Sequence, residues 1–95
     1  MTENQFNELK NSVSGKPFEE TKLKIAKEAI AANGTKTSQV IELMELMTFE
    51  DSKLDLAKYA YSFTTDKNEY YMVNDAFTFS SSIDDLSKYI QNQPK

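Results

Sequence analysis

A chain of 95 residues has room for one hydrophobic core and no second, and 39% hydrophobic residues is too many for a disordered segment. Neither Cys nor His occurs, which excludes disulfides, Cys or Ser-His nucleophiles, most zinc sites and haem or iron–sulfur ligation. Eleven lysines and no arginine face fifteen carboxylates, for a net charge of −4, and this balance speaks against nucleic acid and anionic membrane surfaces as partners.

The first predicted element is a helix over residues 3–13, with Phe6, Leu9 and Val13 on one stripe and a stop at Ser14-Gly15. A second covers 17–32. Pro17 suits a first turn, Glu19 and Glu20 suit the positive helix end, and Asn33-Gly34 closes it. Its apolar positions Leu23, Ile25, Ala26, Ala29 and Ile30 form a stripe wide enough for more than one neighbour. The third, over 37–47, opens at Thr37 as N-cap and carries Val40, Ile41, Leu43, Met44, Leu46 and Met47, too apolar for a surface. The fourth spans 49–62, with Thr48 and Asp51 as a capping box and Leu54, Leu56, Ala57, Ala60 and Tyr61 as its stripe. A second capping box, Asp66 with Glu69, starts a fifth helix over 66–76, and a sixth covers 82–91. No window alternates with period two, so no sheet is expected. The reading is one helical domain over 3–91 with a frayed tail at 92–95.

The chain also resembles itself. Phe18-Glu19-Glu20-Thr21-Lys22-Leu23-Lys24-Ile25-Ala26-Lys27-Glu28-Ala29-Ile30 aligns without a gap on the thirteen residues from Phe49 to Tyr61, with seven identities. A weaker copy from Phe79 to Ile90 keeps the Phe, a Leu and the Lys-Tyr pair. Similarity at a fixed period marks stacked supersecondary units. The expected fold is therefore all-α: about six short helices forming roughly three helix-pair repeats of ~31 residues, in a compact solenoid-like bundle. On this reading Phe18, Phe49 and Phe79 anchor the core of their units, and Leu23 and Leu54 are equivalent buried positions.

Taken in order, Phe18-Glu-x-x-Lys-Leu, the Asn33 turn, Gln39-Val40, Phe49-Glu-x-x-Lys-Leu-x-x-Ala-Lys-Tyr-Ala-Tyr61, Tyr71-x-Val73-Asn74-Asp75-Ala76-Phe77 and Phe79-Ser-Ser-Ser-Ile83 with Leu86 resemble the family called domain of unknown function 4476. The resemblance runs from about Phe6 to Ile90. It implies a small helical module often found at the end of longer bacterial proteins, many with an export signal, and it brings no assigned activity or site residue. The segment Met1-Thr2-Glu3-Asn4-Gln5 lacks the charged-then-apolar pattern of a signal peptide, and no stretch has the length of a membrane span, so the compartment stays open and no membrane insertion is expected.

Candidate sites are few. Asp66, Asn68, Glu69 and Asp75 are the best oxygen-ligand group, but their spacing departs from a calcium loop and suits helix capping. No metal, cofactor or catalytic residue is assigned. Glu19/Glu50, Lys22/Lys53 and Lys27/Lys58 recur between the copies, which points to a repeated structural need, such as Glu–Lys pairs three apart on a first turn. The aromatics are unevenly spread, nine of eleven falling from Phe49 onwards. Tyr59, Tyr61, Phe63 and Tyr70 form the candidate interaction surface, because neighbours on a helix diverge by about 100° and cannot all face inward. Tyr59 replaces Glu28 of the first copy, a position that tolerates charge, and with Tyr70 is expected to be exposed. The function expected is a non-enzymatic module for an unidentified protein or peptide. The alternatives are a spacer domain without ligand and, least favoured, a carboxylate-based hydrolase.

Overall fold

Thr2 starts the first helix: its hydroxyl accepts the Gln5 N–H at 3.2 Å, and the Gln5 side chain accepts the Thr2 N–H at 2.9 Å. This reciprocal cap satisfies two donors that an open helix end leaves to water. From there the computed structural model, which describes residues 1–94, contains α1 (Glu3–Ser14), α2 (Glu19–Asn33), α3 (Thr37–Glu45), α4 (Glu50–Tyr61), a 3-10 segment (Lys67–Ala76) and α5 (Ser80–Gln91). The six expected elements are present. Among the described residues there is no strand; Thr35 and Thr64 form one isolated parallel bridge. Asn92 and Gln93 of the expected tail still bond back to α5 through their N–H groups, and Lys95 lies outside the described residues.

The fifth element differs in kind from the expected α-helix. Its inward residues, Tyr70 and Val73 with Ala76 beside the core, are spaced strictly by three. A 3-10 helix has three residues per turn and stacks such positions on one edge, whereas an α-helix would splay them. The segment packs on α3 and α4.

The core runs through every element: Phe6, Leu9 and Val13; Ala26 and Ile30; Val40, Leu43, Met44 and Met47; Leu56, Ala57 and Ala60; Tyr70 and Val73; and Leu86. Leu23 and Leu54 lie only partly buried at its margin, in matching places on α2 and α4. The radius of gyration, 12.4 Å, is that of a globular domain of this length, with extents of 32 × 25 × 19 Å.

Helices α2, α4 and α5 pack successively as one layer. Glu19, the first residue of α2, binds the backbone just before α4, and Glu50, the first residue of α4, binds the backbone just before α5. Their N-termini therefore lie side by side and the three helices run parallel. At the opposite end, the turn after α2 is zipped to the turn after α4: Thr35 N–H donates to the Phe63 carbonyl at 3.0 Å and Thr65 N–H to the Thr35 carbonyl at 2.9 Å. Gly34 makes that approach possible with φ 72° and ψ 174°, a region reserved for glycine. Gly34→Ala is expected to destabilise the fold by about 1–3 kcal/mol in equilibrium denaturation, chiefly through backbone strain. A neutral result would mean that this turn relaxes freely.

Candidate functional site

Three local caps expected from sequence are built differently. Phe49, not Thr48, is the N-cap of α4, and Phe18 is the N-cap of α2, so that Pro17 lies before the helix and not in its first turn; no side chain of either phenylalanine accepts a helix N–H. The Thr48 N–H donates instead to both Glu19 carboxylate oxygens, at 3.0 and 2.8 Å, and the Phe49 N–H to one of them at 2.8 Å. Glu50 receives the Thr78 N–H at 3.1 and 3.0 Å and the Phe79 N–H at 3.0 Å in the same manner. The lysines do not pair with these acids as salt bridges. Lys22 Nζ reaches the Leu46 carbonyl at 3.4 Å and Lys53 Nζ the Ala76 carbonyl at 3.3 Å. Each Glu-x-x-Lys thus grips a neighbouring turn, carboxylate to N–H and ammonium to carbonyl.

Asp66 likewise caps a neighbour. Its carboxylate accepts the Thr37 N–H at 2.8 Å and the Thr37 hydroxyl at 3.0 Å, tying the start of α3 to the start of the 3-10 segment. Thr37 is accordingly the first residue of α3 and not its cap. Among the described residues no group of three or more acids stands close enough to hold a metal ion, and no helix is long and apolar enough to cross a membrane.

Burial raises the Glu19 and Asp66 carboxyls, but hydrogen bonds outweigh it. Phe49 and Thr48 N–H, the Ser52 hydroxyl and Lys22 bring Glu19 below 4.5, and the Thr37 N–H and hydroxyl bring Asp66 below 3.8. For Glu50 the Phe79 N–H is the largest influence; with Thr78, Ser82 and Lys53 it overcomes desolvation and lowers the carboxyl below 4.5. All three values are depressed on folding, so at acid pH the unfolded chain binds more protons and stability rises with pH. Their contribution is complete above the unfolded values and is lost as pH falls through the folded ones. Urea denaturation between about pH 3 and 6 should show this acid limb, and Glu19→Gln with Glu50→Gln should flatten it. An unchanged slope in the double variant would assign the limb to other groups.

The expected interaction surface divides. Tyr70 is a correction: it is 2% exposed, and its hydroxyl donates to the Ala57 carbonyl while burial raises its pKa. The three-residue period of its segment turns Tyr70 inward and leaves Tyr71 outside. Tyr61 meets Tyr70 edge to face at 5.1 Å between ring centres. Tyr59, half-buried where exposure was expected, lies 5.3 Å from Phe63 and under the Lys27 ammonium at 5.2 Å. Lys58 stands over Tyr89 at 5.8 Å in the matching place between α4 and α5. Tyr59 borders a shallow groove with Leu23, Lys27 and Ala31, whereas Tyr61 borders a separate hollow with Lys67, Ile90 and Pro94. The four candidates form two packed pairs, not one patch. Tyr70→Ala should therefore cost roughly 3–5 kcal/mol and Tyr71→Ala less than about 0.5 kcal/mol in parallel melts. The opposite order would put Tyr71 in the core.

The exposed apolar residues lie elsewhere. Phe18, Phe49 and Phe79, expected in the core, are 70%, 62% and 58% exposed. Each immediately precedes its helix in nearly the same extended conformation, φ/ψ −110°/135°, −102°/142° and −110°/136°. An N-cap lies off the helical path, so the apolar spacing that points Leu56 or Leu86 inward does not apply to it. Because the helices are parallel and their starts are joined by Glu19 and Glu50, the three rings project from one edge of the layer. The usable signal in the sequence was a Phe placed between a turn residue and Glu-Glu, Glu-Asp or Ser-Ser, the composition of a helix start.

The profile of a family described as "Domain of unknown function (DUF4476)" matches residues 1–90. No curated protein and no solved structure matches the chain. The chain belongs to the DUF4476 family.

Proposed function

We propose that this DUF4476 domain is a non-enzymatic protein-interaction module that docks a partner on the edge formed by Phe18, Phe49 and Phe79. The observation behind this reading is a mismatch between stability and composition. An N-cap is best occupied by Ser, Thr, Asp or Asn, and replacing a non-capping residue by one of these typically gains about 0.5–2 kcal/mol. All three positions hold phenylalanine, which makes no cap and leaves more than half of its surface in water. Sites that forgo available stability are where function is expected.

We take the chain as three copies of a helix pair, on the support of the contacts that recur between successive copies: Glu19 and Glu50 on the following turn, Lys22 and Lys53 on a carbonyl, and Lys27 and Lys58 over a tyrosine. The ends of the series differ. Pro17 stands where Thr48 and Thr78 offer an N–H, and Ser80 stands where Glu19 and Glu50 offer a carboxylate. Atypical end units are the habit of repeat arrays. On this reading the family builds an array in order to repeat an exposed ring.

The test replaces the rings by better caps. Phe18→Ser, Phe49→Ser and Phe79→Ser each forfeit the partial burial of one ring, about 0.5–1 kcal/mol, and gain a cap of similar worth. Stability should stay within about 1 kcal/mol of the native chain in urea denaturation. A photo-crosslinking phenylalanine analogue at position 49 should form protein adducts in the cell that the same analogue at exposed Thr65 does not. Losses well above that margin in all three variants, or equal crosslinking at both positions, would leave a spacer domain as the better reading.

A further inference from the structure

The partner's chemistry can be taken further, on the premise that the phenylalanine edge is the docking face. The first turns of α2 and α4, the ends of α3 and of the 3-10 segment and the turn before α2 carry Glu19, Glu20, Glu45, Glu50, Asp51 and Asp75 against Lys16, Lys22 and Lys53. Two of those lysines are directed at the Leu46 and Ala76 carbonyls. Most of the chain's net charge of −4 therefore surrounds this edge. Glu20, Asp51, Glu45 and Asp75 are exposed, and among the described residues the lysine–carboxylate hydrogen bonds are made by Glu42 and Asp55 and not by these four.

We propose that the phenylalanine edge receives a basic amphipathic helix of another protein. Charge selects the sign: a second copy would bring the same acids face to face, and an anionic bilayer would be repelled, whereas lysine or arginine flanking apolar side chains complements the rim. Spacing selects the shape. Packed helices lie ~8–10 Å apart, so successive rings repeat at about that distance, and two turns of an α-helix advance ~11 Å. A helix laid across the layer presents one apolar side chain to each ring and keeps its basic residues over the carboxylates. Docking of this kind is the ordinary use of an amphipathic helix.

The probes are a synthetic leucine–lysine amphipathic peptide and its counterparts with glutamine or glutamate in place of lysine, titrated against the full chain by calorimetry. The lysine peptide is expected to bind at least about tenfold more tightly than the glutamine peptide and to weaken as salt is raised. Glu20→Lys with Asp51→Lys, which leaves the rings and the Glu19 and Glu50 contacts in place, should turn the preference toward the glutamate peptide. Phe18→Ser/Phe49→Ser/Phe79→Ser should lose the lysine peptide while keeping its helical circular dichroism. Equal binding of lysine and glutamine peptides, still lost in the phenylalanine variant, overturns the basic partner and spares the docking face. Binding of no peptide, or binding indifferent to the phenylalanines, overturns both. Phenylalanine-dependent self-association in sedimentation, or phenylalanine-dependent retention on phosphatidylcholine vesicles, assigns the edge to a second copy or a membrane and overturns the proposal.

Discussion

Parallel helices packed side by side bring like ends of their dipoles together, and the N-terminal edge of α2, α4 and α5 would carry accumulated positive charge and open N–H groups. Glu19 and Glu50 address both at once. Each puts a negative charge at the start of its own helix and takes two N–H groups from the turn that leads into the next. A carboxylate held by such bonds cannot slide by a turn without orphaning them, so the contact fixes the register of the layer as well as its direction. Lys22 and Lys53 complete the arrangement with the opposite sign, meeting carbonyls at the end of α3 and of the 3-10 segment. Ala26, Ala57 and Ala60, all fully buried, keep the inner faces low enough for helices to approach closely. The other end of the molecule is held by backbone pairing of Thr35 with Phe63 and Thr65 and by Asp66 on Thr37. Polar contacts at both ends enclose an apolar middle.

This division of labour bears on function. Four of the five tyrosines pack on an aromatic or lysine neighbour, Tyr59 with Phe63 and Lys27, Tyr61 with Tyr70, Tyr89 with Lys58, and Tyr71 alone of the five stays in water. These packed tyrosines lie on α4, the 3-10 segment and α5. The N-cap phenylalanines have no such partners, and the proposed docking face rests on that contrast between aromatic side chains that the fold uses and those it leaves in water.

The same contrast explains how the candidate site could be misread. Helical class, the number of elements and most of their boundaries were legible because amphipathic spacing and stop signals such as Asn33-Gly34 act locally. The recurrence of Glu-x-x-Lys was legible too, as a repeated structural need, but the expected Glu–Lys pairing was not what it serves. What it joined could not be anticipated, since Thr48 and Glu19 lie 29 residues apart and nothing in either segment names the other. Thr48–Asp51 and Asp66–Glu69 both have the form of capping boxes, yet the Thr48 N–H goes to the distant Glu19 carboxylate and the Asp66 carboxylate goes to the distant Thr37.

Sequence alone determined that the chain is all-helical, lacks the side chains for thiol and imidazole chemistry and for most zinc, haem or iron–sulfur ligation, and repeats a pattern starting at a phenylalanine. Those are properties of composition and short-range periodicity, which survive without knowledge of neighbours. Tertiary structure alone decided that Tyr70 is core and Tyr71 is not, because a period of three or of 3.6 is chosen by the surface a segment packs on. It also decided that Phe18, Phe49 and Phe79 are outside. A residue one step before a helix belongs to no periodic face, so its burial depends on what other segments bring up to it, and at Phe49 and Phe79 what is brought up is a carboxylate for the backbone N–H.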